Sequence, residues 1–89
     1  MSDNQRIHQR THLKVSFKIW NTGLEPIVVS TRDVSDGGVF LITDGLESIP
    51  DVGTQLLGQV QGLMESAPVV EMEVVRLEPM GMGLRFLEL

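Results

Sequence analysis

Residues 27–42 read Ile27-Val28-Val29-Ser30-Thr31-Arg32-Asp33-Val34-Ser35-Asp36-Gly37-Gly38-Val39-Phe40-Leu41-Ile42. A β-branched apolar run enters Asp33-Val34-Ser35-Asp36-Gly37-Gly38 and a second apolar run leaves it, so two strands are joined by a polar corner. Roughly five residues separate the runs, a length open to a tight antiparallel hairpin or to a corner crossing between sheet halves. Gly37 and Gly38 carry no Cβ, which permits positive φ and close approach of a ligand. Asp33 and Ser35 can bond either the local backbone or a bound base. Asp36 reads as a solvated turn residue.

Working outward, the same alternation of short apolar runs and turn residues covers most of the chain. Leu13, Val15, Phe17 and Ile19 alternate with Lys14, Ser16, Lys18 and Trp20, the period of a half-buried strand. Asn21-Thr22-Gly23 is turn chemistry, and Glu25-Pro26 delays the second strand until about Ile27, from where it runs to Val34. Val39 to Thr43 makes a third strand. Asp44 to Thr54 carries Gly45, Pro50 and Gly53, which leaves no room for a regular helix. Gln55–Gln61 is a fourth strand in which Gly58 marks a bulge or a tight bend. Val69–Leu77 is the fifth and longest, and Met82–Leu87 the sixth, with Glu78-Pro79-Met80-Gly81 turning between them. Arg76 and Arg85, in these apolar strands, are expected to point to solvent, and Trp20 to cover an edge. Six short strands without a sustained 3.6-residue period give an all-β barrel or sandwich. Closing the sheet removes exposed edges, with curvature from the glycines at 38, 58 and 83.

Residues 1–12 show no apolar periodicity and read as a flexible basic arm, leaving 13–89 as the barrel domain. His8 and His12 fall in the arm four residues apart, with no acidic or cysteine partner at a metal-ligand spacing, and read as solvated. No cysteine is present among the 89 residues, which removes disulfides, thiolate metal sites and a thiol nucleophile together. No apolar run reaches the roughly 18 to 20 residues of a bilayer span, and Met1-Ser2-Asp3-Asn4-Gln5 is unlike a signal peptide. A cytoplasmic protein without membrane insertion is expected.

Charge is divided unevenly. Residues 1–20 hold four of the seven basic residues, Arg6, Arg10, Lys14 and Lys18, against the single acid Asp3, whereas the rest of the chain holds three basic and eleven acidic residues. An acidic body repels a nucleic-acid polymer, but a cationic arm still attracts a small dianion. Phe17, Trp20, Phe40 and Phe86 alone are too few for a single-strand stacking platform. Ser35 has no histidine near it in sequence and no triad or metal cluster is recognisable, so no enzyme and no metal site are expected. Arg6 and Arg10 supply what the corner lacks: forked donors for phosphate oxygens and flat cationic faces for a purine.

Arg6-Ile7-His8-Gln9-Arg10 fits the RxxxR motif, and Asp33-Val34-Ser35-Asp36-Gly37-Gly38 fits the [D/N]xSxxG motif, of the PilZ domain family, which binds the bacterial second messenger cyclic di-GMP. The two stand 23 residues apart from Arg10 to Asp33, and Gly81-Met82-Gly83-Leu84-Arg85-Phe86-Leu87 resembles the family's last barrel strand, so the likeness spans nearly the whole chain. The resemblance implies a six-stranded antiparallel β-barrel of split-barrel type with the arm folding across its mouth. It implies that Arg6 and Arg10 contact phosphates and guanine, that Asp33 and Ser35 hydrogen-bond the ligand, and that Gly38 keeps the turn open. Gly37 beside it is a further candidate. Arg32 has two roles open to it, touching the ligand or pairing with Asp33. His8 and Gln9 occupy variable positions and are given no role.

Many PilZ domains continue into a helix packed on the barrel, and this sequence ends at Leu89 without one, from which a homodimer is the expectation. The short stretch before Arg6 implies that output passes through a downstream protein whose identity the sequence does not contain. The alternative to a cyclic di-GMP receptor and adaptor is a PilZ-like interaction module that binds no nucleotide.

Overall fold

The computed structural model describes residues 11–12 and 14–87. Strands β1 (Thr11–His12), β2 (Ser16–Asn21), β3 (Leu24–Val34), β4 (Gly38–Ile42), β5 (Gln55–Val60), β6 (Val70–Glu78) and β7 (Gly81–Phe86) account for the secondary structure, and no helix occurs among the described residues. Sheet order is β1-β3-β2-β5-β6-β7-β4, and a further pairing of β3 with β4 closes the ring. All pairings are antiparallel. The six longer strands therefore form a closed barrel, and two residues from the stretch read as the arm, Thr11 and His12, add β1 to the side of β3.

Alternation decides the core. Phe17 and Ile19 of β2, Val29 of β3, Val39 and Leu41 of β4, Leu56 of β5, Met72 and Val74 of β6, and Met82 and Leu84 of β7 pack together as one buried cluster. Every barrel strand contributes to it, as a period of two predicts for sheets with one wet face. Val15, at the gap between β1 and β2, is tied to β3 twice: its carbonyl accepts from Thr31 N–H at 2.9 Å, and its N–H donates to Thr31 Oγ1 at 3.0 Å. A buried threonine thereby satisfies backbone that has left the ladder.

The 11-residue β3 is the seam of the barrel. It bends twice. Near its start Ile19 pairs with Ile27 and Asn21 with Leu24, so Glu25 and Pro26 together oppose Trp20 alone. Proline at this bulge removes no regular ladder bond, which is why the strand begins three residues earlier than the sequence suggests. Near its end Thr31 pairs with Leu41 and Asp33 with Phe40, leaving Arg32 without a counterpart. A third shift lies in β6, where Val75 is the extra residue between the pairs Val74–Leu84 and Arg76–Gly83.

Gly58 marks neither a bulge nor a shift, since its pairings with Ile19 and Val70 keep register. A Cβ at this position would strike the Phe17 ring, with Met72 Cε 2.7 Å away. Its role is to thin β5 where a core ring crosses it. The register shifts fall at Glu25/Pro26, Arg32 and Val75, and none falls at the glycines at 38, 58 and 83.

Candidate ligand site

The corner is a hairpin. Val34 pairs with Val39, and Ser35–Gly38 turn the chain between them. Ser35 N–H donates to Gly38 O at 2.9 Å, and Ser35 Oγ accepts from Gly37 N–H at 3.3 Å, so the serine builds the turn that carries it. Phe86 N–H donates to Gly37 O at 2.9 Å and ties the corner to β7. Neither Gly37 nor Gly38 has a positive φ; that conformation falls at Gly45, Gly53 and Gly62. The requirement at Gly38 is close approach, because a Cβ there would collide with the carbonyl oxygen of Leu84 and lie 3.1 Å from Arg85 Cα. Glycine lets β4 and β7 meet beneath the corner.

The two later bulges set the outer face. Thr31 points into the barrel at 2% exposure, and strict alternation would then turn Asp33 inward as well. The extra residue Arg32 resets the phase, so that Asp33 shares the outer face with its partner Phe40, which sits between the core residues Val39 and Leu41. Arg32 and Asp33 are consecutive yet lie on the same side, and Arg32 Nε donates to Asp33 Oδ2 at 2.9 Å. Of the two roles open to Arg32 from sequence, the structure exhibits the pairing. Its guanidinium carbon also stands 3.8 Å from the Phe40 ring centroid, a cation–π contact.

Across the sheet the register aligns Asp33 with Phe40, Phe40 with Gly83, and Gly83 with Arg76, one residue from each of β3, β4, β7 and β6. His12 of β1 pairs with Asp33 at the near end of the row. The bulge at Val75 is what brings Arg76 onto this line. Gly83 forms a low point: Arg76 Cγ and Cζ lie 3.2 and 3.3 Å from where its Cβ would be. Phe40 folds over Gly81 in the same manner, and is 2% exposed although it faces outward. Arg76 Nε donates to Glu78 Oε2 at 2.8 Å, and the guanidinium is 5.6 Å from the Phe40 ring.

These residues enclose a cleft of about 260 Å³, with Asp33, Ser35, Gly37, Gly38, Phe40, Arg76 and Gly83 in its lining. Four positions singled out from sequence, Asp33, Ser35, Gly37 and Gly38, thus share one wall. Arg6 and Arg10 lie outside the described residues. The described chain nevertheless begins beside the corner, with Thr11 opposite Val34. Arg76 was read as a solvent-facing arginine; its side chain is 49% exposed, but it forms the far wall of the cleft. Gly81 and Gly83, alternating on one face of an apolar strand, were the available hint of a surface floor. Arg85 is exposed and pairs with Glu73 at 2.7 Å.

Chemically, the cleft offers a carboxylate acceptor, backbone and hydroxyl groups at the turn, an aromatic and glycine floor, and a guanidinium opposite. The Ser35 hydroxyl bonds backbone groups of the turn, without a base among its partners. No group of His, Asp or Glu suited to a metal ion occurs among the described residues. No helix there is long and apolar enough to cross a membrane.

The chain is thus a closed small barrel with a polar corner and a cleft on its outer wall. The chain matches the PilZ domain model over residues 4–89 and belongs to the PilZ domain family, a family of cyclic di-GMP receptors and adaptors. No curated protein matches it. Among solved structures, that of the Bacillus subtilis inhibitor of motility MotI/DgrA is similar, with a TM-score of 0.64, 20% identity, and coverage of 96% of this chain and 43% of that one. This chain spans less than half the length of that protein, and at this identity the likeness is one of fold.

Proposed function

We propose that this protein is a cytoplasmic cyclic di-GMP receptor and adaptor, in which ligand binding repositions the amino-terminal arm and the altered surface signals to a partner protein. The observation that carries this reading is the convergence of Asp33, Ser35, Gly37 and Gly38 on one cleft, with β1 pairing alongside it. Cyclic di-GMP is a dianion with two purines. Asp33 is suited to accept from guanine N–H groups, and Arg6 and Arg10, a few residues before Thr11, to engage its phosphates in charge-assisted bonds.

Ordering about seven free residues costs roughly 7 to 14 kcal/mol, against about −8 kcal/mol for micromolar binding. A wholly free arm is therefore an expensive clamp. Pairing of Thr11 and His12 with β3 anchors the end of the arm beside the corner.

Calorimetric titration with cyclic di-GMP, GTP and an oligonucleotide tests the reading. Saturable binding of cyclic di-GMP alone is the expected result. Silence toward all three would leave an interaction module, and preference for the oligonucleotide would place the protein in another class.

A further inference from the structure

The row Asp33–Phe40–Gly83–Arg76 crosses four strands; only Asp33 belongs to a sequence motif, and Arg76 is the charged member outside both. Its side chain lies along Gly83, Nε is held by Glu78, and half of the side chain is open to solvent. One side of the guanidinium is thus seated on the sheet, its edge is oriented by a carboxylate, and its outer side faces the cleft. Such a seated plane stacks on purines at little entropic cost, because ligand binding need not immobilise it.

Strands in a sheet are spaced by about 4.7–4.9 Å, so three steps separate Asp33 from Arg76 by about 14 Å along the wall. A cyclic dinucleotide is long enough to follow this wall, with one guanine read by Asp33 and the other lying toward β6. We infer that Arg76 is a third cationic contact of this site, stacking on the second purine of the bound cyclic dinucleotide. The inference rests on the proposed function and adds to it a residue outside both motifs. It also explains the architecture: the bulge at Val75 puts Arg76 on the row, and glycine at 83 leaves a seat for it.

The test is titration of cyclic di-GMP into the wild-type protein, Arg76→Ala and Arg76→Lys, each at low and raised salt, with far-UV circular dichroism as the check on folding. Arg76→Ala is expected to weaken binding about tenfold, as loss of one base stack does. Arg76→Lys retains the charge but not the plane, and is expected to recover little of that loss. The ratio of variant to wild type is expected to stay constant as salt rises, since stacking is screened far less than a phosphate contact. Wild-type binding with Arg76→Ala within about twofold of it, or full recovery by Arg76→Lys, would overturn this inference alone. Failure of the wild type to bind would overturn the proposed function and this contact with it.

Discussion

Asp33→Ala is expected to weaken cyclic di-GMP binding about 100-fold or more while leaving the barrel folded, measured by calorimetry beside a thermal melt. Asp33 is 6% exposed and lines the cleft, where the proposed function makes it the acidic acceptor for guanine N–H groups. Each hydrogen bond to a charged group contributes about 1.5–3 kcal/mol, and guanine presents adjacent donors to one carboxylate, so two such bonds are lost together. Stability should change far less. Arg32, an ion-pair partner of Asp33, has a side chain 43% exposed, where water can replace the lost carboxylate. Arg10→Ala should weaken binding in the same direction, but with a different signature. On the proposed function it removes a phosphate contact, so its effect should shrink as salt rises, whereas the Asp33→Ala deficit should persist. Unchanged affinity in Asp33→Ala would remove guanine recognition from the corner.

Leu41→Ala is expected to carry the largest cost to folding, about 2–5 kcal/mol, read as a fall in the urea midpoint with an unchanged m-value. Leu41 is fully buried and lies on β4, the strand that joins the seam β3 to β7. Shortening it leaves a cavity between neighbours that are themselves held in paired strands, so the site cannot easily collapse. Stability for a chain of this length is of order 4–13 kcal/mol, so the variant forfeits a large share of it. The cleft should survive in the molecules that remain folded, since Phe40 and Asp33 lie on the opposite face from Leu41. Ligand at a hundred times Kd should then restore about 2.7 kcal/mol by mass action, and this recovery is itself measurable. A shift below about 0.5 kcal/mol would contradict the core described above.

Much of this was legible in the sequence because a period of two is a local property. Phe17 and Ile19, Met72 and Val74, and Leu84 are all where alternation puts them, and the polar corner between two apolar runs is where β3 and β4 turn. What escaped was decided by partners. No feature of Arg32 or Val75 in isolation announces that the facing strand skips a residue there, yet those two bulges determine that Asp33 and Arg76 face the same way. Gly38 and Gly58 were read as local backbone devices, whereas each answers to a group brought from elsewhere: the Leu84 carbonyl for one, the Phe17 ring for the other. Arg76 was passed over for the same reason. Its seat is a glycine on the next strand, and only register connects them.

The most direct test of the site is a titration of ¹⁵N-labelled protein with cyclic di-GMP, followed amide by amide. Binding at this cleft should move the resonances of Asp33 to Gly38, Phe40, Gly83 and Arg76 together, with one saturation curve, while the loop at residues 44–54 stays still. Saturation that shifts that loop and leaves the row from Asp33 to Arg76 unmoved would contradict it.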